Sequence, residues 1–164
     1  MKIAIYPGTF DPITYGHVDI IERASRLFDK IIITVARNPA KTPLFTADER
    51  VQLIKKSITT IKNKSSFTVD TFDGLIVKYA KKQGASAIIR GLRAISDFEY
   101  ELQMALMNRR LQQDMTTVFL MPHENYTYLN STIVKEVAGL GGDISNFVPP
   151  SVEEKLKEKF TKKL

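Results

Sequence analysis

The chain has no cysteine and no tryptophan in its 164 residues. Without a thiol there is no disulfide framework, no cysteine nucleophile, no cysteine-ligated zinc and no iron–sulfur centre. Chemistry must come from oxygen, nitrogen or a metal that arrives with a ligand. Long hydrophobic runs are missing as well. The apolar stretch within residues 30–36 is among the longest, far short of the roughly 20 residues that cross a bilayer, so no membrane span is expected. Met1, Lys2, Ile3, Ala4 and Ile5 open a strand-like pattern and lack the zones of a secretory signal, which makes the cytoplasm the expected compartment. Neither GxGxxG nor GxxxxGK[ST] occurs, which disfavours an ordinary dinucleotide site and a P-loop.

Acid is in short supply: 24 Lys+Arg stand against 18 Asp+Glu, a net charge of +6. Residues 37–64 carry Arg37, Lys41, Arg50, Lys55, Lys56, Lys62 and Lys64 against Asp48 and Glu49. Residues 78–93 carry Lys78, Lys81, Lys82, Arg90 and Arg93 against no acid. The lysine pairs read as solvated helix faces. A single-strand nucleic-acid binder would interleave aromatic platforms with a basic groove, whereas Phe and Tyr are scattered here, so nucleic acid is not an expected partner.

The length suggests a single domain spanning residues 1–164, large enough to bury roughly 70% of the surface of the unfolded chain. No internal repeat or low-complexity segment is present, and what recurs is an alternation. Strand-like runs rich in Ile, Val, Phe and Thr fall at about 2–6, 30–36, 66–71, 86–89 and 116–120. Helical patterns lie between them. Val18, Ile21, Ala24, Leu27 and Phe28 repeat at helical spacing. Thr46 and Glu49 form a capping box before Val51, Leu53 and Ile54, and Ser96 with Glu99 reads as a second box ahead of a helix reaching about Gln113. Asp73 and Gly74 open a shorter helix that Gly84 can close. A final charged helix is expected over 151–161, after Val148, Pro149 and Pro150. The pattern predicts an α/β fold: a Rossmann-like, doubly wound parallel sheet of about five strands with helices on both faces and a C-terminal helix.

In such sheets ligands bind beyond the carboxyl ends of the strands, so the loops there should hold the unusual residues. After the first strand, Gly8 permits close backbone approach, and a helix starting near Gly16 aims unpaired N–H groups at the same place. His17 falls in that helix's first turn on the inward face; it either caps a buried carbonyl or meets a ligand. After the fourth strand, Arg90, Gly91, Leu92 and Arg93 place two guanidinium groups, suited to phosphate, where a strand leaves the core. After the fifth, Tyr126, Thr127, Tyr128, Leu129, Asn130, Ser131 and Thr132 lead into a helix for which Ser131 is a plausible cap. Lys41 sits in a proline-rich loop after the second strand, and Ile76 follows the third, where it reads as core.

Tyr-Pro-Gly-Thr-Phe-Asp-Pro (residues 6–12) with Thr-x-Gly-His (14–17) resembles the signature of the nucleotidylyltransferase superfamily in its phosphopantetheine adenylyltransferase branch. Residues 89–101, reading Ile-Arg-Gly-Leu-Arg-Ala-Ile-Ser-Asp-Phe-Glu-Tyr-Glu, resemble a second hallmark of that branch, and the runs 119–122 and 131–136 a third. Thr14 stands where the superfamily more often has His, as is usual in this branch. Asn130 stands where the branch more often has Ser. The resemblance implies transfer of the adenylyl group of ATP to phosphopantetheine, giving dephospho-coenzyme A and pyrophosphate. By position, Thr9, Phe10, His17, Gly91, Leu92, Arg93, Glu101 and Tyr126, Thr127, Tyr128, Leu129, Asn130, Ser131 and Thr132 would bind ATP. Thr9, Lys41, Ile76 and Arg90 would bind phosphopantetheine. His17 would stabilise the transition state, with Thr9, Lys41 and Arg90 beside it. The resemblance further implies magnesium carried with ATP, a homohexamer and coenzyme A as a feedback inhibitor. The run 90–101 argues against a related enzyme for glycerol phosphate or nicotinamide mononucleotide. Because a phosphate nucleophile is already ionised at neutral pH, the expected reaction is a direct in-line displacement that needs neither a general base nor a covalent enzyme intermediate.

Overall fold

The computed structural model describes residues 1–37, 42–62, 66–93 and 95–161. Five strands, β1 (Ile3–Gly8), β2 (Lys30–Ala36), β3 (Ser66–Phe72), β4 (Ala87–Gly91) and β5 (Thr116–Leu120), form one sheet in the order β3-β2-β1-β4-β5. Each neighbouring pair is parallel, with Gly8 opposite Val35 and Gly91 opposite Leu120. The chain winds outward from β1 in one direction through β2 and β3, then crosses back to β4 and β5. The crevice between β1 and β4 is therefore the switch point of a doubly wound sheet, and every strand delivers its carboxyl end to the same edge.

The central strands are buried on both faces, so their sequences are continuous apolar runs. Alternation still sorts the side chains. Ala4, Tyr6, Ile31, Ile33, Val35, Ala87 and Ile89 face one core, whereas Ile5, Ile32 and Ile88 face the other. The first core is closed by α1 (Tyr15–Ala24), α2 (Ala47–Ser57), α5 (Ser131–Gly139) and α6 (Pro150–Thr161), which contribute Ile20, Ile21, Leu53, Ile54, Val134, Val152 and Leu156. The second is closed by α3 (Ile76–Lys82) through Val77, Tyr79 and Ala80.

The remaining helix, α4 (Ile95–Leu111), is inverted in pattern. Its inward positions include Glu101 and Asn108, whereas Phe98, Leu106, Met107 and Leu111 are exposed.

The Thr46 capping box forms as read: the Glu49 N–H donates to Thr46 Oγ1 at 3.2 Å and the Thr46 N–H donates to Glu49 Oε2 at 2.8 Å. Gly84 follows α3 with φ +67°, a conformation glycine takes without a Cβ clash. Three boundaries differ from the sequence pattern. Helix α4 already includes Ser96, so that residue lies inside the helix and is not its cap. The α5 cap is Asn130, whose Oδ1 accepts the Ile133 N–H at 2.8 Å, while Ser131 turns its hydroxyl to the Pro12 carbonyl at 2.7 Å. Helix α3 starts at Ile76 with Leu75 as the cap, two residues past Gly74.

Candidate active site

At the carboxyl edge of the sheet an open cavity of about 830 Å³ is lined from four directions. Its size falls within the range of small-ligand sites. The loop after β1 supplies Gly8, Thr9, Phe10, Asp11 and Thr14, and α1 supplies Gly16, His17 and Ile20. Strand β4, the turn beyond it and α4 supply Arg90, Gly91, Arg93, Tyr100 and Glu101. Asn130, Ser131, Thr132 and Lys135 come from the start of α5, and Thr42 and Pro43 from the segment before α2. The N-termini of α1 and α5 thus open onto one space, together with three cationic side chains. That combination suits a polyanion.

The loop after β1 owes its shape to one glycine and one buried ring. Phe10 has φ 48° and is 2% exposed, an unusual backbone conformation for a bulky residue. Its ring is held edge-on between Tyr6 and His17, with centroids 5.3 Å and 5.1 Å away. A Cβ on Gly8 would lie 2.9 Å from that ring, so only glycine leaves room for it.

His17 is fixed at its Nδ1. The backbone N–H of Thr14 donates to it at 3.0 Å, and Thr14 Oγ1 lies at the same distance. An accepting Nδ1 leaves the proton of the neutral ring on Nε2. Burial, aided by the positive charge of Arg93, pushes the His17 pKa down to about 3. The imidazole is therefore a neutral donor across the physiological range. Beside it, burial raises the Tyr6 phenol against the pull of Arg90 and Arg93, so Tyr6 stays protonated.

Arg90 is gripped by Glu101. Its Nε donates to Glu101 Oε2 at 2.7 Å, its Nη2 donates to Oε1, and its Nη1 donates to the Pro7 carbonyl at 3.1 Å. Two of the five guanidinium N–H groups are left over by these three bonds. Arg93 Nη1 donates to the Leu129 carbonyl at 3.1 Å, tying the segment after β4 to the approach of α5.

Of the residues named from sequence, Thr9, Phe10, His17, Arg90, Gly91, Arg93, Glu101, Leu129, Asn130, Ser131 and Thr132 line this cavity. Leu92, Tyr126, Thr127 and Tyr128 are not among its lining residues, and Ile76 packs on the second core beside Phe72. Lys41 lies outside the described residues. Tyr6, Asp11, Tyr100 and Lys135 fall within the recognised motifs, but sequence reasoning gave them no role at the site. Lys135 donates to Asp11 Oδ2 at 2.6 Å across 124 residues, a pairing that no local pattern signals.

The profile of the cytidylyltransferase-like family matches residues 5–137. A phosphopantetheine adenylyltransferase of Caldanaerobacter subterraneus subsp. tengcongensis is 57% identical over 162 residues, covering 99% of both chains. One of Geobacter sulfurreducens is 57% identical over 97% of this chain and 95% of its own, and one of Geotalea daltonii 56% identical over 99% of both. Among solved structures, a protein assigned as a nicotinate-nucleotide adenylyltransferase from Vibrio parahaemolyticus aligns with a TM-score of 0.71 at 21% identity, covering 100% of this chain and 98% of that one, a likeness of fold. A chain that matches the family profile over residues 5–137 and is more than half identical, over nearly its whole length, to these adenylyltransferases belongs to the phosphopantetheine adenylyltransferase family of cytidylyltransferase-like proteins.

Proposed function

We propose that the chain transfers the adenylyl group of ATP to phosphopantetheine, releasing pyrophosphate and forming dephospho-coenzyme A. The observation that carries the reading is the convergence of two helix N-termini, Arg90, Arg93 and a neutral Nε2–H histidine on one cavity at the sheet's switch point. In the reaction an oxygen of the acceptor phosphate bonds to the α-phosphorus of ATP. The bond from that phosphorus to the oxygen bridging to the β-phosphorus breaks, and its electron pair leaves on pyrophosphate. No proton has to be removed from the nucleophile. The protein's task is to position two anions and stabilise the charge gathering on the α-phosphate oxygens. His17 Nε2–H supplies one preorganised donor, and the Gly16 N–H at the start of α1 supplies another, the Tyr15 N–H being bonded to the Phe147 carbonyl and the His17 N–H to Thr14. Thr9, Lys41 and Arg90 hold the acceptor phosphate, with Glu101 fixing the plane of the Arg90 guanidinium. Arg93 and residues 129–132 hold the nucleotide.

The cavity's two carboxylates are already engaged, Asp11 by Lys135 and two backbone N–H groups, and Glu101 by Arg90. Among the described residues no group of three His, Asp or Glu side chains is arranged to hold a metal. Magnesium, as the resemblance implies, would enter with the substrate, chelated by the ATP polyphosphate. Among the described residues no helix is long and apolar enough to cross a membrane, and the reaction is assigned to the cytoplasm, with the whole chain acting as one domain. The exposed apolar side of α4 supports self-association, as the hexamer implied by the resemblance requires. Leu106→Lys, on that side, is expected to yield a smaller species in light scattering. Coenzyme A carries both the adenylyl and the pantetheine portions of the product and would compete for the same cavity.

The test is product analysis by mass spectrometry after mixing the protein with MgATP and phosphopantetheine. Dephospho-coenzyme A and pyrophosphate in equal amounts are expected. Their absence, with glycerol phosphate or nicotinamide mononucleotide adenylylated instead, would replace this reading with that of a different nucleotidylyltransferase.

A further inference from the structure

Asp11 is 3% exposed, yet its carboxylate joins three separate parts of the chain. Its Oδ1 accepts the Phe45 N–H at 2.9 Å, and its Oδ2 accepts the Leu44 N–H at 2.9 Å and the Lys135 ammonium at 2.6 Å. A second tie crosses the same gap. The Arg50 side chain, 4% exposed, donates from Nη1 to the Thr9 carbonyl at 2.8 Å and from Nε to the Thr46 carbonyl at 3.3 Å. The loop after β1 and the segment 42–46 are therefore locked together by a carboxylate reading two N–H groups and a guanidinium reading two carbonyls. Phe45 is fully buried in the first core, which already anchors the far end of that segment. What the clamp adds is the placement of Thr42 and Pro43, which line the cavity, relative to Thr9.

We propose that Asp11 is a positioning residue for the acceptor side of the cavity, acting with Arg50 through the backbone of residues 42–46. Reaction rates depend steeply on placement, with misplacement of about 1 Å costing on the order of 10²-fold, so a carboxylate that acts through the backbone it holds can still set turnover. The inference rests on the assignment of Thr9 and its surroundings to the acceptor. Asn in place of Asp11 keeps the shape and one acceptor oxygen, but it turns an NH₂ group toward donors that need an acceptor.

Initial rates of Asp11→Asn, with each substrate varied in turn, are expected to show KM for phosphopantetheine raised about tenfold or more. KM for ATP should stay within about threefold, in protein whose circular dichroism matches the parent's. A matched rise in both KM values, or none in either, would overturn the proposal. A rise for ATP alone would overturn it as well, by moving the clamp to the nucleotide side. Should Asp11→Asn not fold, Arg50→Lys keeps the charge but loses the fork that spans Thr9 and Thr46, and the same acceptor-selective rise, of about threefold or more, is required. Turnover of phosphopantetheine by the parent protein is measured alongside, and its absence would count against the assigned reaction itself.

Discussion

Removing the His17 ring is the sharpest single perturbation of the site. His17→Ala deletes the Nε2–H donor and leaves the rest of the cavity lining in place. Loss of one preorganised donor to a developing oxyanion typically costs about 2.7–4 kcal/mol of transition-state stabilisation, or on the order of 10²–10³ in kcat. The structural cost is smaller. The Thr14 N–H loses its partner and Phe10 loses an edge-on neighbour, together about 1–3 kcal/mol, which a domain of ordinary stability tolerates. His17→Gln supplies the control, because its amide can present an N–H near the Nε2 position without the Nδ1 brace; its loss should be smaller than that of alanine. The assay is pyrophosphate release at saturating substrates, with a thermal melt on each variant. A folded His17→Ala protein turning over within about threefold of the parent would refute the role assigned to the ring.

The same contacts set three further outcomes. The folded-state pKa of His17 is about 3 against an ordinary 6.5, so between those values the unfolded chain binds a proton that the folded chain does not. The stability this gives is complete above about pH 6.5 and is lost toward pH 3, at up to about 1.4 kcal/mol per pH unit; urea midpoints at pH 7.5 and 5 should differ more for the parent than for His17→Gln, and equal differences would refute it. Glu101→Ala strands the Arg90 guanidinium and should cost about 2 kcal/mol in urea unfolding while raising KM for phosphopantetheine; a change under about 0.5 kcal/mol would show that the pair is dispensable. Gly8→Ala drives a Cβ against the Phe10 ring and should destabilise by about 1–3 kcal/mol, read as a fall in Tm; an unchanged Tm would mean that the ring moves aside freely.

Much of the architecture was legible because it is written in short range. Strand runs such as residues 30–36 and the Thr46–Glu49 box depend on neighbours a few positions apart, and both formed as read. Where two residues competed for one local role, sequence could not choose. Asn130 and Ser131 can each cap α5, and the choice was made by the Pro12 carbonyl, 119 positions away from Ser131 but in reach of its hydroxyl. Ser96 failed as a cap because the helix extends past it to Ile95. The place of the cavity was foreseeable from the alternation of strands and helices, since every strand of a parallel sheet ends on one edge. The engagement of its charges was not. Arg90 reads as a phosphate ligand on sequence grounds, yet it carries Glu101 on its fork, and nothing local to Asp11 signals that Leu44, Phe45 and Lys135 close around it. Such partners meet only after the sheet has formed.

The claim at the centre of the account is that the acceptor's own phosphate attacks, with no base supplied by the protein. It is tested most directly by comparing pyrophosphate release from MgATP in the presence of phosphopantetheine with release in the presence of pantetheine, which has a hydroxyl in place of the phosphate. The account predicts rapid release with the first and none above background with the second. Comparable release with pantetheine would contradict it, because a hydroxyl nucleophile needs a base that this reading of the cavity does not provide.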